Sequence, residues 1–369
     1  MIPYGRQSVS EEDIAAVVEV LRGDWLTQGP TIERFEAAVA EYVGAKYAVA
    51  YSSCTSALHG ATWAAGLGPG DLVATSPLSF MASANCTRYV GATPVLVDID
   101  KDTWNLDLAL VPDNLRGLVA VHFAGLPMDL GLLDQSRRPS VVIEDAAHAL
   151  GAATPSGMVG NCAHSDMCCF SFHPVKPITT AEGVMVTTND SMLAERLRRF
   201  RTHGIVRRPD IGAWFYEISE VGFNYRMTDV QAALGLSQIQ RIDDLISRRN
   251  RVADVYRCEL SGLDLNLPPA PSSGFRHGYH LFPITVRDRK RVFDSLRDIG
   301  IGVQVHYVPI HHHPVSSDCL IPPGGLPICD EVYGGILSLP IWPGIDPETI
   351  LYVARSVAEV CGARDSRTL

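Results

Sequence analysis

Residues 141–190 read VVIEDAAHALGAATPSGMVGNCAHSDMCCFSFHPVKPITTAEGVMVTTND. An apolar run, Val141-Val142-Ile143, ends in two carboxylates, Glu144 and Asp145. A second run, Met167 to Phe172, leads into His173-Pro174-Val175-Lys176. Short apolar runs bounded by Gly and Pro read as buried strands. In an open α/β sheet, chemistry collects at the carboxyl ends of strands. Asp145 and Lys176 are therefore expected to face one pocket, each just past a strand end. An ion pair is the plainer reading of such a couple. A carboxylate and a lysine so placed also suit pyridoxal phosphate (PLP). The lysine amine bonds the cofactor aldehyde, and the carboxylate keeps the pyridine nitrogen protonated.

The flanking chain repeats the same grammar. Strands are expected at 93–98, 118–123 and 141–145, alternating with helices at 79–90 and 105–115 and a turn-rich connection. Such units predict an α/β fold built on a mainly parallel sheet. Ser10 and Asp13 form a capping box that opens a helix with Ile14, Val17, Val18 and Leu21 on one apolar face. Ile32, Phe35, Val39 and Tyr42 line a second helix. Tyr47 to Tyr51 reads as a strand running into SSCTSAL at a helix start. Hydroxyls and free amides there suit phosphate, although an N-cap cluster without a ligand has the same composition. A long helix follows Thr228. A smaller domain is expected over 251–369, after a large one over 1–250, with strand 280–286, helix 288–299, strand 302–307 and helix 347–361.

Composition bounds the partners. The chain has 369 residues, 46% apolar and 20% charged, with a net charge of −10. That balance argues against nucleic acid or an anionic membrane as the main partner. Nine scattered cysteines without a C-x-x-C pair fit reduced thiols. No signal-like start and no spanning apolar run is found, so a cytoplasmic location is expected. His306, His311, His312 and His313 raise the question of a metal. Adjacent histidines diverge on most backbones, and no acidic partner sits at ligand spacing, so no metal is expected.

EDAAHALGA followed by FSFHPVKPITTAEG closely resembles the DegT/DnrJ/EryC1/StrS family of sugar aminotransferases, and the similarity extends over nearly the whole chain. Val184 departs from the family pattern, where a second glycine is usual; a valine extends the strand VMVTT. The resemblance implies a PLP-dependent transferase of fold type I that works as a homodimer with shared active sites. By the same resemblance Lys176 and Asp145 are catalytic. Cys54, Thr55, Ser56 and Ser171 belong to the cofactor phosphate, Phe80 stacks on the ring, and His148 lies near the ring oxygen. Asn224, in GFNYRMTD, reaches the phosphate of the other subunit. Gln28, in LTQGP, lies near the neighbouring subunit's site, and His306 and Tyr307, in VHYVPIHHHP, line the substrate side. HPVKPITTAEG looks most like the branch that aminates UDP-4-keto-6-deoxy-HexNAc in pseudaminic acid biosynthesis. The implied reaction moves an amino group, with L-glutamate as donor, to C4 of such a nucleotide-linked ketosugar. A keto-cyclitol or other ketosugar of antibiotic biosynthesis, and a PLP-fold regulator without turnover, stay open as alternatives.

Overall fold

The computed structural model describes residues 1–362. Helix α1 (Glu11–Arg22) starts at the Ser10–Asp13 capping box, and α2 (Pro30–Val43) has Pro30 in its first turn and stops at Gly44. Strand β1 (Tyr47–Tyr51) feeds α3 (Cys54–Ala64). Then come β2 (Leu72–Thr75), α4 (Ala82–Tyr89), β3 (Thr93–Leu96), β4 (Gly117–Val121) and β5 (Val141–Asp145). A small hairpin, β6 (Ala153–Thr154) and β7 (Gly157–Met158), separates β5 from β8 (Met167–Ser171), and β9 (Val184–Thr188) precedes α5 (Ser191–Phe200).

The seven-stranded sheet has the order β1-β9-β8-β5-β4-β2-β3. Only β9 runs against the others, since it pairs antiparallel with both β1 and β8. Every residue of β4, β5, β8 and β9 is buried. Helices on both faces account for that, and strands covered twice need continuous apolar runs. Val184 opens β9, as its β-branched side chain favours. On one face α2 and the residues after β8 pack together, with Phe35 and Phe172 rings 5.3 Å apart. Burying each such ring contributes about 1.5–3 kcal/mol.

A hairpin of β10 (Ile205–Arg207) and β11 (Tyr216–Ile218) leads to α6 (Asp229–Ile239) and α7 (Ile242–Glu259). A second core gathers around β12 (Leu265–Asn266), β13 (Phe282–Val286) and β14 (Ile336–Leu339), with α8 (Arg289–Asp298) and α10 (Pro347–Gly362); α9 (Pro327–Gly335) precedes β14. No helix among the described residues is long and apolar enough to cross a membrane.

Four expectations are corrected. Residues 105–115 form only a single tight turn, Leu108–Leu110. Pro112 disfavours helix before it, and Asn105 is tied to Phe123 N–H and the Leu126 carbonyl instead. Residues 302–307 are not a strand; Gln304 alone bridges β14 at Ser338, and the chain then turns toward the large sheet. The long helix after Thr228 breaks at Arg241, whose guanidinium reaches the buried Asp13 carboxylate and the Ser8 carbonyl. Finally, α1 packs on α6 through Asp13, bound also by Ser237 and Gln238, while Ile14 and Leu21 stay exposed.

Candidate active site

Parallel strands β5 and β8 are neighbours, so their carboxyl ends open on one side of the sheet. There a cavity of about 530 Å³ is lined by residues of both ends, of α3 and of the 302–307 segment. The charged groups lining two larger hollows elsewhere on the surface are all exposed.

Asp145 ends β5 and is buried. The Ser83 hydroxyl donates to its Oδ2 at 2.7 Å, and Ser79 lies 2.7 Å from Ser83 in turn. The Ala147 amide donates to Oδ1 at 3.2 Å. These contacts hold the carboxylate in one orientation. Lys176 lines the same cavity and is partly buried, the other three lysines, Lys46, Lys101 and Lys290, being exposed. Burial pushes its amine down from 10.5 to about 8, and the Arg249 charge adds to this against the pull of Cys54 and Asp145.

Helix α3 opens at the phosphate-like motif. The Ser53 hydroxyl caps the Ser56 amide, and Ser56 Oγ donates to the Ser53 carbonyl at 2.8 Å. First-turn amides have no intrahelical acceptor, so those of Cys54 and Thr55 are left for a ligand. Ser53, Cys54, Thr55 and Ser171 line the cavity. Ser56 does not; it is spent on the cap.

Phe80 is 61% exposed at the cavity mouth, its ring 6.1 Å from that of Tyr307. His148 is buried, with Nε2 3.0 Å from the Tyr307 hydroxyl and Nδ1 without a partner. Burial, then the charge of Lys176, holds its imidazole neutral, well below the ordinary histidine range. His306 is likewise pushed down, to about 4, and its Nδ1 meets Ser338 Oγ at 2.9 Å. The donor set fits PLP. One end offers helix amides and hydroxyls for a dianion, the other a fixed carboxylate and a lysine. Between them stands a buried, unpartnered His148 nitrogen.

Gln28 and Asn224 do not line this cavity. Both are exposed, and one buried residue ties their loops together. Asp229 accepts the Gly29 amide at 2.8 Å and the Thr31 amide at 3.0 Å, and Thr27 bridges Thr228. A side chain at Gly29 would meet Trp25 at 2.4 Å and Asp229 at 2.8 Å, so only glycine fits.

Sequence reasoning missed Ser83, Tyr4, His280 and Arg249. His280 lines the cavity just before β13, and no local pattern marks it. Arg249 sits in phase with Leu245, Ile246, Val252, Ala253 and Tyr256, the buried stripe of α7. That phase was the available signal. The histidine run is also corrected: His311 and His312 do not diverge but both approach Asp330 Oδ1 at 2.9 Å, an acidic partner supplied by α9.

Residues 7–358 match the DegT/DnrJ/EryC1/StrS aminotransferase family. The chain is 33% identical to the UDP-4-amino-4-deoxy-L-arabinose–oxoglutarate aminotransferase of Shewanella sediminis, over 98% of each. Among solved structures, PseC of Helicobacter pylori, an aminotransferase involved in pseudaminic acid biosynthesis, superposes with a TM-score of 0.90 at 31% identity, covering 98% of this chain and 99% of that one. Spr1654 of Streptococcus pneumoniae, described as a sugar aminotransferase and solved in PMP and PLP forms, gives 0.90 at 26% identity over 98% of this chain and, respectively, 99% and 98% of those chains.

Proposed function

This chain belongs to the DegT/DnrJ/EryC1/StrS aminotransferase family, and from that premise we propose that it moves an amino group from L-glutamate to C4 of a UDP-linked 4-keto-6-deoxy-N-acetylhexosamine. It is a PLP-dependent sugar aminotransferase with the fold type I architecture. The observation that carries the reading is the delivery of Asp145 and Lys176 by adjacent strands into one cavity with a helix start. The bound cofactor supplies an electron sink and carries the amino group between two substrates.

Each residue has a physical task. Asp145, fixed by Ser83 and Ala147, presents a steady negative charge to the ring nitrogen. The Cys54 and Thr55 amides, with the Thr55 and Ser171 hydroxyls, hold phosphate. Phe80 covers the ring, and His148 serves the ring oxygen. Lys176, with an amine near pKa 8, would carry the proton lost by the donor's α-carbon to the cofactor carbon that takes up the amino group, close to neutral pH. His306 and Tyr307 contact the sugar or donor. Asn224 and Gln28 serve the site of a second copy. Their exposure, and the exposed Trp25, Leu26 and Val221 on the loops carrying them, support a homodimer.

HPVKPITTAEG and VHYVPIHHHP support the substrate class, as do the UDP-sugar aminotransferase relative and PseC. Diphosphate and uridine contacts would supply remote binding energy that holds the ketone in line. The test is incubation with glutamate and candidate ketosugars, following 2-oxoglutarate and product mass. The nucleotide sugar reacts, and the same sugar without its nucleotide loses turnover as well as affinity. Free keto-inositols reacting far faster than any nucleotide sugar would overturn the assignment.

A further inference from the structure

Arg249 is fully buried in α7, and its guanidinium meets no carboxylate among the described residues. Instead Nη1 donates to the carbonyls of Tyr279, His280 and Ile341 at 3.2, 3.3 and 3.3 Å. Nη2 donates to those of Val175 and Lys176 at 3.1 and 3.4 Å. One planar fork thus grips the two segments that carry Lys176 and His280. A guanidinium keeps its donors in fixed directions, so it sets the spacing of what it binds.

Above that grip, Lys176 Nζ stands 3.2 Å from His280 Nε2. His280 is 4% exposed and its ring packs against His148 with centroids 4.5 Å apart. Its Nδ1 is buried without a partner. An unpaired buried nitrogen is a cost that an apolar side chain in the same place would avoid. Packing alone therefore does not account for a histidine here; the contact with Lys176 does.

The surroundings define its protonation. Burial, then Lys176, His148, Arg249 and His306, keep His280 neutral. His148 and His306 are neutral for the same reason, and burial holds the Tyr307 phenol protonated. Asp145 and Cys54 face Lys176 from β5 and α3, and Glu182 stands at the rim. Among these, a neutral imidazole 3.2 Å away can accept a hydrogen from the ammonium and donate one to the free amine.

We propose that His280 is the positioning residue for Lys176: its Nε2 holds Nζ at the cavity wall while the amine bears a proton, at a spacing fixed by Arg249. This rests on the reading of Lys176 as the amine that moves the proton. The hydrogen bond favours the ammonium against the desolvation that disfavours it. It also keeps the protonated amine from swinging away between taking the proton and returning it.

The test is pH-dependent competitive acetylation of the cofactor-free chain, read lysine by lysine by mass spectrometry. Lys46, Lys101 and Lys290 are exposed internal standards. In His280→Leu, the Lys176 labelling midpoint falls by about half a pH unit, because the acceptor for the ammonium is gone. His280→Asn, whose amide oxygen accepts, restores it. In the holoenzyme, kcat falls about tenfold in the leucine variant, recovers in the asparagine variant, and KM stays within about threefold. His280→Ala replaces the leucine variant if that one does not fold. An unchanged midpoint in His280→Leu, or equal damage in the leucine and asparagine variants, overturns the proposal. The labelling needs neither sugar nor cofactor, so its failure is separable from failure of the substrate assignment.

Discussion

The Asp229 carboxylate, fully buried at the start of α6, accepts the Gly29 amide at 2.8 Å and so joins the Asn224 loop to the Gln28 loop. Two segments 200 residues apart become one surface element. Asp229→Asn keeps the size but turns an NH₂ toward one of the two donated amides. The expected loss is about 2–3 kcal/mol of unfolding free energy, read from urea titration. Stability equal to wild type would contradict the joint role.

If that element completes a second copy's site, lesions on either side of it should complement. Lys176→Ala and Asn224→Ala homodimers are each expected to be poorly active. In a mixed dimer one site takes both lesions and the other takes none. Activity should therefore return on mixing, above either parent. Demonstrated subunit exchange with no recovery contradicts the shared site.

Asp145→Asn tests the electrostatic role at the end of β5. The Ala147 amide can still donate to the one remaining oxygen, and the Ser83 hydroxyl can turn to accept from the new NH₂, so the fold is expected to survive. The lost charge should lower kcat by about 10²-fold or more, from the usual cost of removing a fixed charge aimed at the reacting centre. Wild-type turnover in a folded Asp145→Asn enzyme contradicts the assignment.

Much of this arrangement was legible because local sequence and tertiary position agree. Val141 to Asp145 is one apolar run closed by carboxylates, and the structure makes it strand β5 without change. Lys176 follows β8 as the second run demanded. What stayed hidden depends on distant partners. His280 meets Lys176 across 104 residues, and nothing within GYHLFPI reports that contact. Arg249 sits in SRRNR, beside the exposed Arg251, and only its helical phase separates it from a solvated charge. Residues 105–115 read as a helix within the strand–helix alternation, but side-chain bonds from Asn105 and the proline at 112 prevailed over it. The apolar face of α1 leaves Ile14 and Leu21 exposed, and its buried contact is Asp13.

The Lys176 amine has a definite pH signature. Its pKa is lowered, so the free base forms near pH 8 instead of near 10.5. Cofactor capture by the cofactor-free chain should speed up with rising pH and level off above about 8, as followed by stopped-flow absorbance. By linkage, the unfolded lysine keeps its proton to higher pH than the native one. Its buried amine therefore costs stability at low pH, and that cost fades as pH rises from about 8 toward 10.5. A capture rate still climbing about tenfold per pH unit into an ordinary lysine's range contradicts the lowered value.

The chain has four lysines, Lys46, Lys101, Lys176 and Lys290, and only Lys176 lines the cavity. Borohydride reduction of the PLP-loaded enzyme followed by peptide mass mapping therefore gives an unambiguous answer. The account predicts that the cofactor's added mass falls on the peptide containing Lys176, and that Lys176→Ala takes up none while keeping its fold. Mass found on Lys46, Lys101 or Lys290 in the wild-type enzyme would contradict the assignment of this cavity as the aminotransferase site.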